Sequence, residues 1–278
     1  MDFVKMQATG NDFVLIDARG LELDWPRLSR AMCDRHFGVG ADGLLLYTRS
    51  DAGDLHLRML NPDGSEAEAC GNGLRCLANY AAETGLASGP QMTILTMAGP
   101  RLASVSADRT VRVAMGAPEL RPSAIPVIVQ ADERNDAGPV IDHPLAVDGI
   151  DLRVTCVSIG NPHAIYFAEQ PVAGFPLDSI GPIVEHHKVF PRRVNFEVAN
   201  MVSADSIKAR VWERGVGETL SCGTGACAIA VASRLKGLAT SPVAVELPGG
   251  TLTVEWDGRG EVLLSGPAEV VFRGEWKS

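Results

Sequence analysis

Short apolar or alternating runs, separated by glycine and proline, extend along most of the chain. Runs of about four to eight residues with such punctuation are typical of β-strands. The runs that predict strands are FVKMQ, DFVLID, GLLLY, LHLRML, VRVAM, RVTCVS, HAIYF, IKARVW and TLTVEW. Three segments with helical spacing of apolar residues predict helices at about 25–35, 71–84 and 223–236. The most linker-like region is 118–150, which is rich in proline, aspartate and glycine.

The two halves of the chain resemble each other. Residues 55–86 align without a gap on residues 207–238, a displacement of 152 positions, and TGNDFVLID aligns on IGNPHAIYF at a displacement of 150. The duplication predicts two domains with one fold. A duplication can be purely structural, but both halves retain Cys-Gly-x-Gly and Gly-Asn rather than core aliphatic residues alone. The retained pairs include Arg58/Arg210, Glu66/Glu218, Cys70/Cys222, Gly71/Gly223, Gly73/Gly225 and Asn11/Asn161.

Composition excludes several classes of protein. The 278 residues, 46% of them hydrophobic, suffice for one large domain or two of about 100–150 residues. A formal net charge of −9 provides no basic stripe for nucleic acid. No apolar run approaches the roughly 20 residues that span a membrane. The N-terminal sequence lacks the pattern of a signal peptide, so we expect a cytoplasmic protein.

The six cysteines and five lysines carry no cofactor signature. In a cytoplasmic chain of this length, reduced thiols are a better interpretation than disulfides. The spacings of Cys70 to Cys76 and Cys222 to Cys227 do not match those of zinc sites. Neither a dinucleotide-binding nor a phosphate-binding glycine motif is present, and no lysine lies in a recognisable pyridoxal motif. We therefore expect neither a metal nor a cofactor.

Each Cys-Gly-x-Gly motif stands before a predicted helix, which Gly85 ends in one half and Gly237 in the other. The unpaired N–H groups and the dipole of a helix start favour an anion, so a thiol there is expected to have a lowered pKa. A cysteine before a helix is otherwise most often a small buried hydrophobe. Two cysteines, Cys70 and Cys222, at equivalent positions favour a chemical role.

Two equivalent domains related by a pseudo-twofold axis are expected to direct both cysteines into one cleft. A carbon between them can lose a proton to one thiolate and receive a proton from the other thiol, which inverts its configuration. The helix-start N–H groups are expected to stabilise the carbanion-like intermediate of an amino acid, as an oxyanion hole does. The sequence thus predicts a cofactor-free racemase or epimerase.

Long stretches of the chain resemble the diaminopimelate epimerase family. They run from residue 6 to about 274 and include TGNDFVLID, GVGADGLLL, NPDGSEAEACGNGLRC, IGNPHAIYF, RRVNFEVAN, WERGVGETLSCGTGACA and the C-terminal LPGGTLTVEWDGRGEVLLSGPAEVVFRG. The resemblance implies an α/β (α+β) fold of two pseudo-symmetric domains. Each is a mostly antiparallel sheet wrapped around a central helix, with the active site in the cleft between them. The expected N-terminal epimerase domain comprises residues 1–118 and about 268–278, and the C-terminal one residues 119–267.

The resemblance also implies an activity. It is the conversion of LL-2,6-diaminopimelate to meso-diaminopimelate, for lysine and peptidoglycan precursor synthesis, by a homodimer without pyridoxal or metal. Cys70 and Cys222 are then the catalytic acid/base pair, and His163 and Glu213 adjust their pKa values. An arginine and several asparagines suit the second carboxylate and the ammonium groups of such a substrate. The implied substrate-binding residues are Asn11, Asn61, Gly71, Asn72, Asn161, Asn195, Glu213, Arg214, Gly223 and Thr224.

Three residues depart from the family pattern. Gly43 stands where some members have glutamine, so that side-chain contact is absent here. Pro62 replaces the commoner alanine and is expected to stiffen its turn. Phe272 stands in place of a dimer-contact tyrosine and retains the aromatic contact without the hydroxyl group.

Three alternative interpretations remain open from the sequence. A proline or hydroxyproline racemase would share the fold and the cysteine pair, but would leave Arg214 and the asparagines without a role. A thiol redox switch would explain two reactive thiols, but not the polar residues around them. On its own segment, His163 is equally well interpreted as a turn residue after Asn-Pro.

Overall fold

The computed structural model describes residues 1–67, 70–129 and 138–277, and it has a mixed α/β fold. The chain divides into two compact units, residues 1–114 with 265–278 and residues 115–264. The first contains β1 (Asp2–Ala8), β2 (Asn11–Asp17), α1 (Trp25–Cys33), β3 (Gly43–Arg49), β4 (Leu55–Leu60), β5 (Glu66–Ala67), α2 (Gly71–Thr84), β6 (Gln91–Thr96), β7 (Gly99–Val105) and β8 (Val111–Ala114).

The second unit contains β9 (Val140–Val147), β10 (Ile150–Ser158), β11 (Pro162–Phe167), α3 (Leu177–Glu185), β12 (Asn195–Ser203), β13 (Ser206–Glu213), β14 (Gly217–Thr219), α4 (Gly223–Leu235), β15 (Val243–Leu247) and β16 (Gly250–Glu255). The chain returns to the first unit within β17 (Leu263–Gly266), and β18 (Glu269–Glu275) follows. All nine strand runs predicted from the sequence coincide with strands, except that Met115 and Trp256 lie just after the ends of β8 and β16.

The two units repeat one order of strand pairing. In the first, β1–β2 is antiparallel, β2–β3 parallel, β3–β4 antiparallel, β4–β6 parallel and β6–β7 antiparallel. In the second, β10–β11, β11–β12, β12–β13, β13–β15 and β15–β16 follow the same sequence of directions. The C-terminal β18 pairs antiparallel with β1, as β9 does with β10. The predicted duplication of the fold is confirmed.

One helix in each unit packs against several strands of its own sheet. α2 contacts β1, β2, β3, β4, β7 and β8, whereas α4 contacts β10, β11, β12, β15 and β16. Leu74 and Leu77 of α2 are fully buried, and burial of one such side chain contributes about 1.5–3 kcal/mol. α4 is buried on nearly every side, because glycine, alanine and larger apolar residues occupy most of its positions. Gly85 ends α2 in the left-handed conformation, and Gly237, also at positive φ, follows α4.

The outer helices include one that the sequence pattern did not predict. α3 buries Leu177, Ile180 and Val184, which recur with helical spacing, but Gly181 and Pro182 interrupt the pattern. Gly181 is required because a Cβ there would lie 2.5 Å from Trp212. The described residues form four α-helices, so the prediction of three was wrong by one, since glycine and proline were interpreted only as breakers.

The linker-like region 118–150 is not uniformly a linker. Its last part forms β9 and the first residue of β10, and Glu119 forms a bridge with Ser158. Residues 130–137 of this region lie outside the described residues. No helix among the residues that the structure describes is long and apolar enough to cross a membrane.

Candidate active site

Both motif cysteines lie where the sequence predicts them, directly before the central helices. Cys70 precedes α2 with extended backbone angles (φ −139°, ψ 119°), and Cys222 precedes α4 with similar angles (φ −123°, ψ 112°). Gly71, Asn72, Gly223 and Thr224 form the first helical turns. Backbone N–H groups at a helix start lack partners within the helix, so each loop can donate to a carboxylate.

In the first unit, Cys70 lies beside two asparagines. Its Sγ is 3.9 Å from Oδ1 of Asn11, and Nδ2 of Asn72 donates to the same oxygen at 3.0 Å. Nδ2 of Asn11 donates to Oδ2 of Asp42 at 2.7 Å. Because a carboxylate only accepts hydrogen bonds, Asp42 fixes the amide of Asn11 with its oxygen towards Cys70.

A charged network holds Asp42 in place. Arg35 donates to Asp42 at 2.6 Å and to Asp12 at 2.8 Å, and Lys5 donates to Asp12 at 2.5 Å and to the carbonyl oxygen of Gly40. Burial raises the pKa of Asp12, but the hydrogen bonds from Arg35 and Lys5 outweigh it and lower the pKa to about 2. Asp12 therefore stays ionised at neutral pH and anchors the network.

In the second unit, the surroundings of Cys222 are more enclosed. The residue is 5% exposed, and its Sγ accepts the N–H of Gly225 at 3.3 Å and lies 3.4 Å from Oγ1 of Thr224. Glu213 is a further neighbour, and its Oε1 accepts the hydroxyl of Thr219 at 2.6 Å. Burial raises the pKa of Glu213, while its hydrogen bonds with Thr219 and Cys222 oppose that change.

The acidity of Cys222 differs from the expectation. Burial raises the pKa of its thiol well above the ordinary value, and the carboxyl groups of Glu213 and Glu197 add to this. Thr224 and Gly225 act in the opposite direction. The expectation that the helix start lowers the pKa is wrong for Cys222, because desolvation and two nearby acids outweigh the backbone donors. These surroundings favour the protonated form of Cys222.

A buried histidine–glutamate pair supports the same site. Nδ1 of His163 lies 2.6 Å from Oε1 of Glu197, both side chains are fully buried, and Nε2 of His163 lies 3.0 Å from Oδ1 of Asn161. Burial raises the pKa of Glu197, whereas His163 lowers it. His163 lies within β11, so its interpretation as a turn residue is wrong.

Asn195 and Arg214 are linked to each other. Nδ2 of Asn195 donates to the carbonyl oxygen of Pro162 at 2.9 Å, and its Oδ1 accepts the backbone N–H of Arg214 at 2.8 Å. Asn195 thus positions the loop of Arg214. The guanidinium of Arg214 donates to the carbonyl oxygen of Arg192 at 3.1 Å and is exposed. Asn61 donates from Nδ2 to Ser65 at 2.9 Å.

Gly43 and Asn195 occupy equivalent places in the two units. Gly43 pairs with Phe13 in β2–β3, and Asn195 pairs with His163 in β11–β12. A Cβ at Gly43 would lie 3.0 Å from the carbonyl oxygen of Leu60, so a larger residue there requires a shift of β4. The first unit therefore has no counterpart of the asparagine.

The other two departures have simple local explanations. Pro62 is the second residue of a turn in which Gly64 donates to the carbonyl oxygen of Asn61 at 2.9 Å, a position that suits the fixed φ of proline. Phe272 is 46% exposed and makes an edge-to-face contact with Phe3, with ring centroids 6.0 Å apart.

The sequence reasoning missed three acidic residues near the site. Asp42 orients Asn11, Glu197 binds the histidine, and Glu185 accepts the N–H of Gly215 at 2.9 Å beside the arginine loop. The internal alignment contained a signal for Glu197, because the displacement of 152 sets it against Leu45, a core position in the first unit. Glu185 lies at the end of the helix that the pattern did not predict.

Comparison with known proteins agrees with this description. The family model "Diaminopimelate epimerase" matches residues 3–121 and 155–271. Proteins named diaminopimelate epimerase are 48% identical in Moorella thermoacetica and 47% identical in a Cyanothece species, in each case over 99% of both chains. A phenazine biosynthesis protein of the PhzF family from Bacillus anthracis has a TM-score of 0.68 at 17% identity, covering 100% of this chain and 99% of its own. A hydroxyproline epimerase from Agrobacterium vitis has a TM-score of 0.68 at 15% identity, covering 99% and 91%.

The duplicated units place the chain in the fold class that the PhzF proteins and the proline racemases share. Within that class the chain belongs to the diaminopimelate epimerase family, since both the family model and the full-length relatives match. It is an isomerase.

Proposed function

We propose that this protein interconverts LL-2,6-diaminopimelate and meso-2,6-diaminopimelate, with Cys70 and Cys222 acting on opposite faces of one carbon. The observation that carries the proposal is a cysteine at the same position of each duplicated unit, directly before its central helix. Inversion needs one group that removes a proton and another that delivers one. Family membership supports the choice of substrate.

In the proposed forward step, the Cys70 thiolate takes the α-proton and the Cys222 thiol delivers its proton to the opposite face. Cys70 ends as a thiol and Cys222 as a thiolate, and the reverse reaction exchanges the roles. The raised pKa of Cys222 supports its assignment as the acid. Once formed, its thiolate has the N–H of Gly225 at 3.3 Å and the hydroxyl of Thr224 at 3.4 Å as stabilising donors.

The carbanion formed between these transfers carries its charge into the α-carboxylate. The N–H groups of the two helix starts, including Gly71 and Gly223, are the proposed donors to that carboxylate. They need no reorganisation during the reaction, because the helices fix them. No cofactor is assigned to this step.

The polar residues have proposed roles around the rest of the substrate. Oδ1 of Asn11, fixed by Asp42, can accept a hydrogen bond from an ammonium group. The exposed guanidinium of Arg214 is the proposed partner of the distal carboxylate. Asn161 and Asn61 complete the proposed set, while Asn195 acts through the backbone that it holds.

The primary test is turnover by the purified protein without added pyridoxal phosphate. We expect LL-diaminopimelate to reach equilibrium with the meso form, and L-proline to remain unchanged. Racemisation of L-proline without reaction of diaminopimelate would overturn the proposed substrate. A thiol redox switch predicts turnover of neither.

Solvent deuterium tests the two-base step. Early in the reaction, the product is expected to carry deuterium while the remaining substrate carries almost none, because the two faces exchange protons with different thiols. A single base would return part of the original proton, and equal early labelling of substrate and product would contradict the assignment.

We also propose that the protein is a cytoplasmic homodimer serving lysine and peptidoglycan precursor synthesis. All six cysteines are free thiols, which suits a reducing compartment. Val271 and Phe272 are exposed apolar residues of β18, 55% and 46% exposed, and are the proposed dimer contact. Sedimentation of the wild-type protein and of Phe272→Glu tests this, with a dimer expected for the former and a weakened one for the latter.

A further inference from the structure

The two duplicated units differ at one buried position beneath their cysteine loops. In the second unit the side chain nearest to a Cβ built on Gly225 is Glu197, whose Oε1 would lie at 3.1 Å. At the equivalent Gly73 the nearest side chain is Leu45, whose Cδ2 would lie at 3.0 Å. The strand registers give the same equivalence, because Leu45 and Glu197 each lie two residues beyond the paired positions Gly43 and Asn195.

The partner of this residue differs in the same way. His163 of the second unit corresponds to Phe13 of the first, and all four side chains are almost fully buried. The first unit shows that a hydrocarbon pair fills this space. Burial of a carboxyl group and an imidazole is less favourable than burial of apolar groups of similar size. Packing therefore does not account for the polar pair.

The contacts of the pair point to a positioning role. Oε1 of Glu197 binds Nδ1 of His163, and Nε2 of His163 faces Oδ1 of Asn161. With Oδ1 of Asn161 as the acceptor, Nε2 carries the hydrogen of this bond. Nδ1 then either accepts the proton of a Glu197 carboxylic acid or, in an imidazolium, donates its own hydrogen to the Glu197 carboxylate. The amide nitrogen of Asn161 is then directed away from the histidine.

We propose that Glu197 is a positioning residue that, through His163, fixes the amide of Asn161 with its nitrogen available to the substrate. This inference rests on the proposed function. It gives the two asparagines opposite polarity: Asn11 is fixed through its nitrogen by Asp42, whereas Asn161 is fixed through its oxygen. An amino acid offers both an ammonium donor and a carboxylate acceptor, so an asparagine of each orientation suits it.

Titratable groups from three neighbouring elements face the pair among the residues that the structure describes. Cys156 from β10, Glu213 from β13 and Cys222 before α4 are each electrostatically coupled to Glu197 or to His163. A substitution of Glu197 changes the field at these groups as well as the hydrogen bond. The test must therefore separate the charge from the bond.

Three variants make this separation. Glu197→Leu removes the bond and the acid, and it is expected to lower kcat/KM by at least tenfold, mainly through KM. Glu197→Gln can donate from its amide to Nδ1 and is expected to recover kcat/KM to within about threefold of the wild type. The double variant His163→Phe/Glu197→Leu copies the apolar pair of Phe13 and Leu45. It is expected to fold with a Tm at least equal to that of the wild type, but to remain as inactive as Glu197→Leu.

A spectroscopic measurement gives a readout independent of turnover. In long-range ¹H–¹⁵N spectra of protein with ¹⁵N-labelled histidine, Nε2 of His163 is expected to carry a proton in the wild type and in Glu197→Gln. Glu197→Leu is expected to lose this fixed state, and His163→Phe identifies the signals. If the wild-type protein fails to turn over diaminopimelate, the proposed function is refuted. The hydrogen bond between Glu197 and His163 is still tested by the spectra, so the two proposals can fail separately.

Specific results would overturn the inference about Glu197. One is a folded Glu197→Leu variant within twofold of the wild-type kcat/KM. Another is a folded Glu197→Gln variant as impaired as Glu197→Leu, because the hydrogen bond would then have no separate role. An Nε2 of His163 without a proton in the wild type would reverse the amide of Asn161 and equally refute the proposal.

Discussion

Replacement of Arg214 by alanine is expected to weaken substrate binding much more than it weakens the fold. The guanidinium is exposed and donates within the protein to the carbonyl oxygen of Arg192 at 3.1 Å, so its loss should change the free energy of unfolding by about 0.5 kcal/mol or less. Loss of a charge-assisted bond to a carboxylate costs about 1.5–3 kcal/mol. That range corresponds to an increase in KM of about 10- to 150-fold.

The assay is steady-state turnover of LL-diaminopimelate, with Tm measured on the same preparations. Arg192→Ala is the matched control, because it removes the same charge but retains the carbonyl oxygen that Arg214 uses. An unchanged KM in Arg214→Ala would refute the proposed contact with the distal carboxylate. An ion pair of Arg214 with Glu218 is a poor alternative explanation, since Glu218 pairs with Arg210 at 2.7 Å.

Three further predictions concern the cysteines and the charged network. Cys70→Ala and Cys222→Ala should each abolish epimerisation in both directions. The double variant should be scarcely less active than either single variant, because the pair acts as a unit. Near-normal turnover by either single variant would contradict the mechanism. In Asp42→Asn the side chain at position 42 can donate as well as accept, so it no longer fixes the orientation of the Asn11 amide. We expect kcat/KM to fall about tenfold or more with little change in Tm. Wild-type kinetics in this variant would show that the amide of Asn11 needs no such anchor. The pKa of Asp12 is about 2 in the folded protein and 3.8 ordinarily. The ionised form of Asp12 therefore stabilises the folded protein by about 1–2 kcal/mol after solvent screening. This stabilisation is present above about pH 4 and is lost as the pH falls through about 2. Urea unfolding of the wild type and Asp12→Asn should therefore converge at low pH, and a constant difference would exclude this origin.

The sequence was sufficient to predict most of the fold. Strand periodicity and the 152-residue displacement predicted paired units with a cysteine before each central helix, because both signals are local or repeated. α3 escaped prediction because Gly181 is there for packing against Trp212, a contact that only the tertiary structure provides. The sequence alone does not distinguish a glycine that is required by a distant aromatic ring from a glycine that ends a helix.

The site was predicted less completely than the fold. The family motifs indicated Cys70, Cys222 and His163, but not the acids that orient their neighbours, such as Asp42 and Glu197. These acids are distant in sequence from the side chains that they bind, and a single carboxylate in a strand has no motif. The pKa of Cys222 was mispredicted for the same reason, since its helix start is visible in the sequence whereas its burial is not.

Divergence between the duplicated units has a chemical reason under the proposed mechanism. Two-base inversion requires one thiolate and one thiol at the same time, yet identical surroundings would give both cysteines the same affinity for a proton. The second unit has Glu197 and His163 where the first has Leu45 and Phe13. Burial raises the pKa of Cys222 most, Glu213 adds to this, and Glu197 contributes in the same direction. The acidic neighbours Glu213 and Glu197 bias the resting proton towards the sulfur of Cys222. The duplication thus supplies two equivalent backbone frames, and burial together with Glu213 and Glu197 favours the protonated form of Cys222, which the proposed forward step needs.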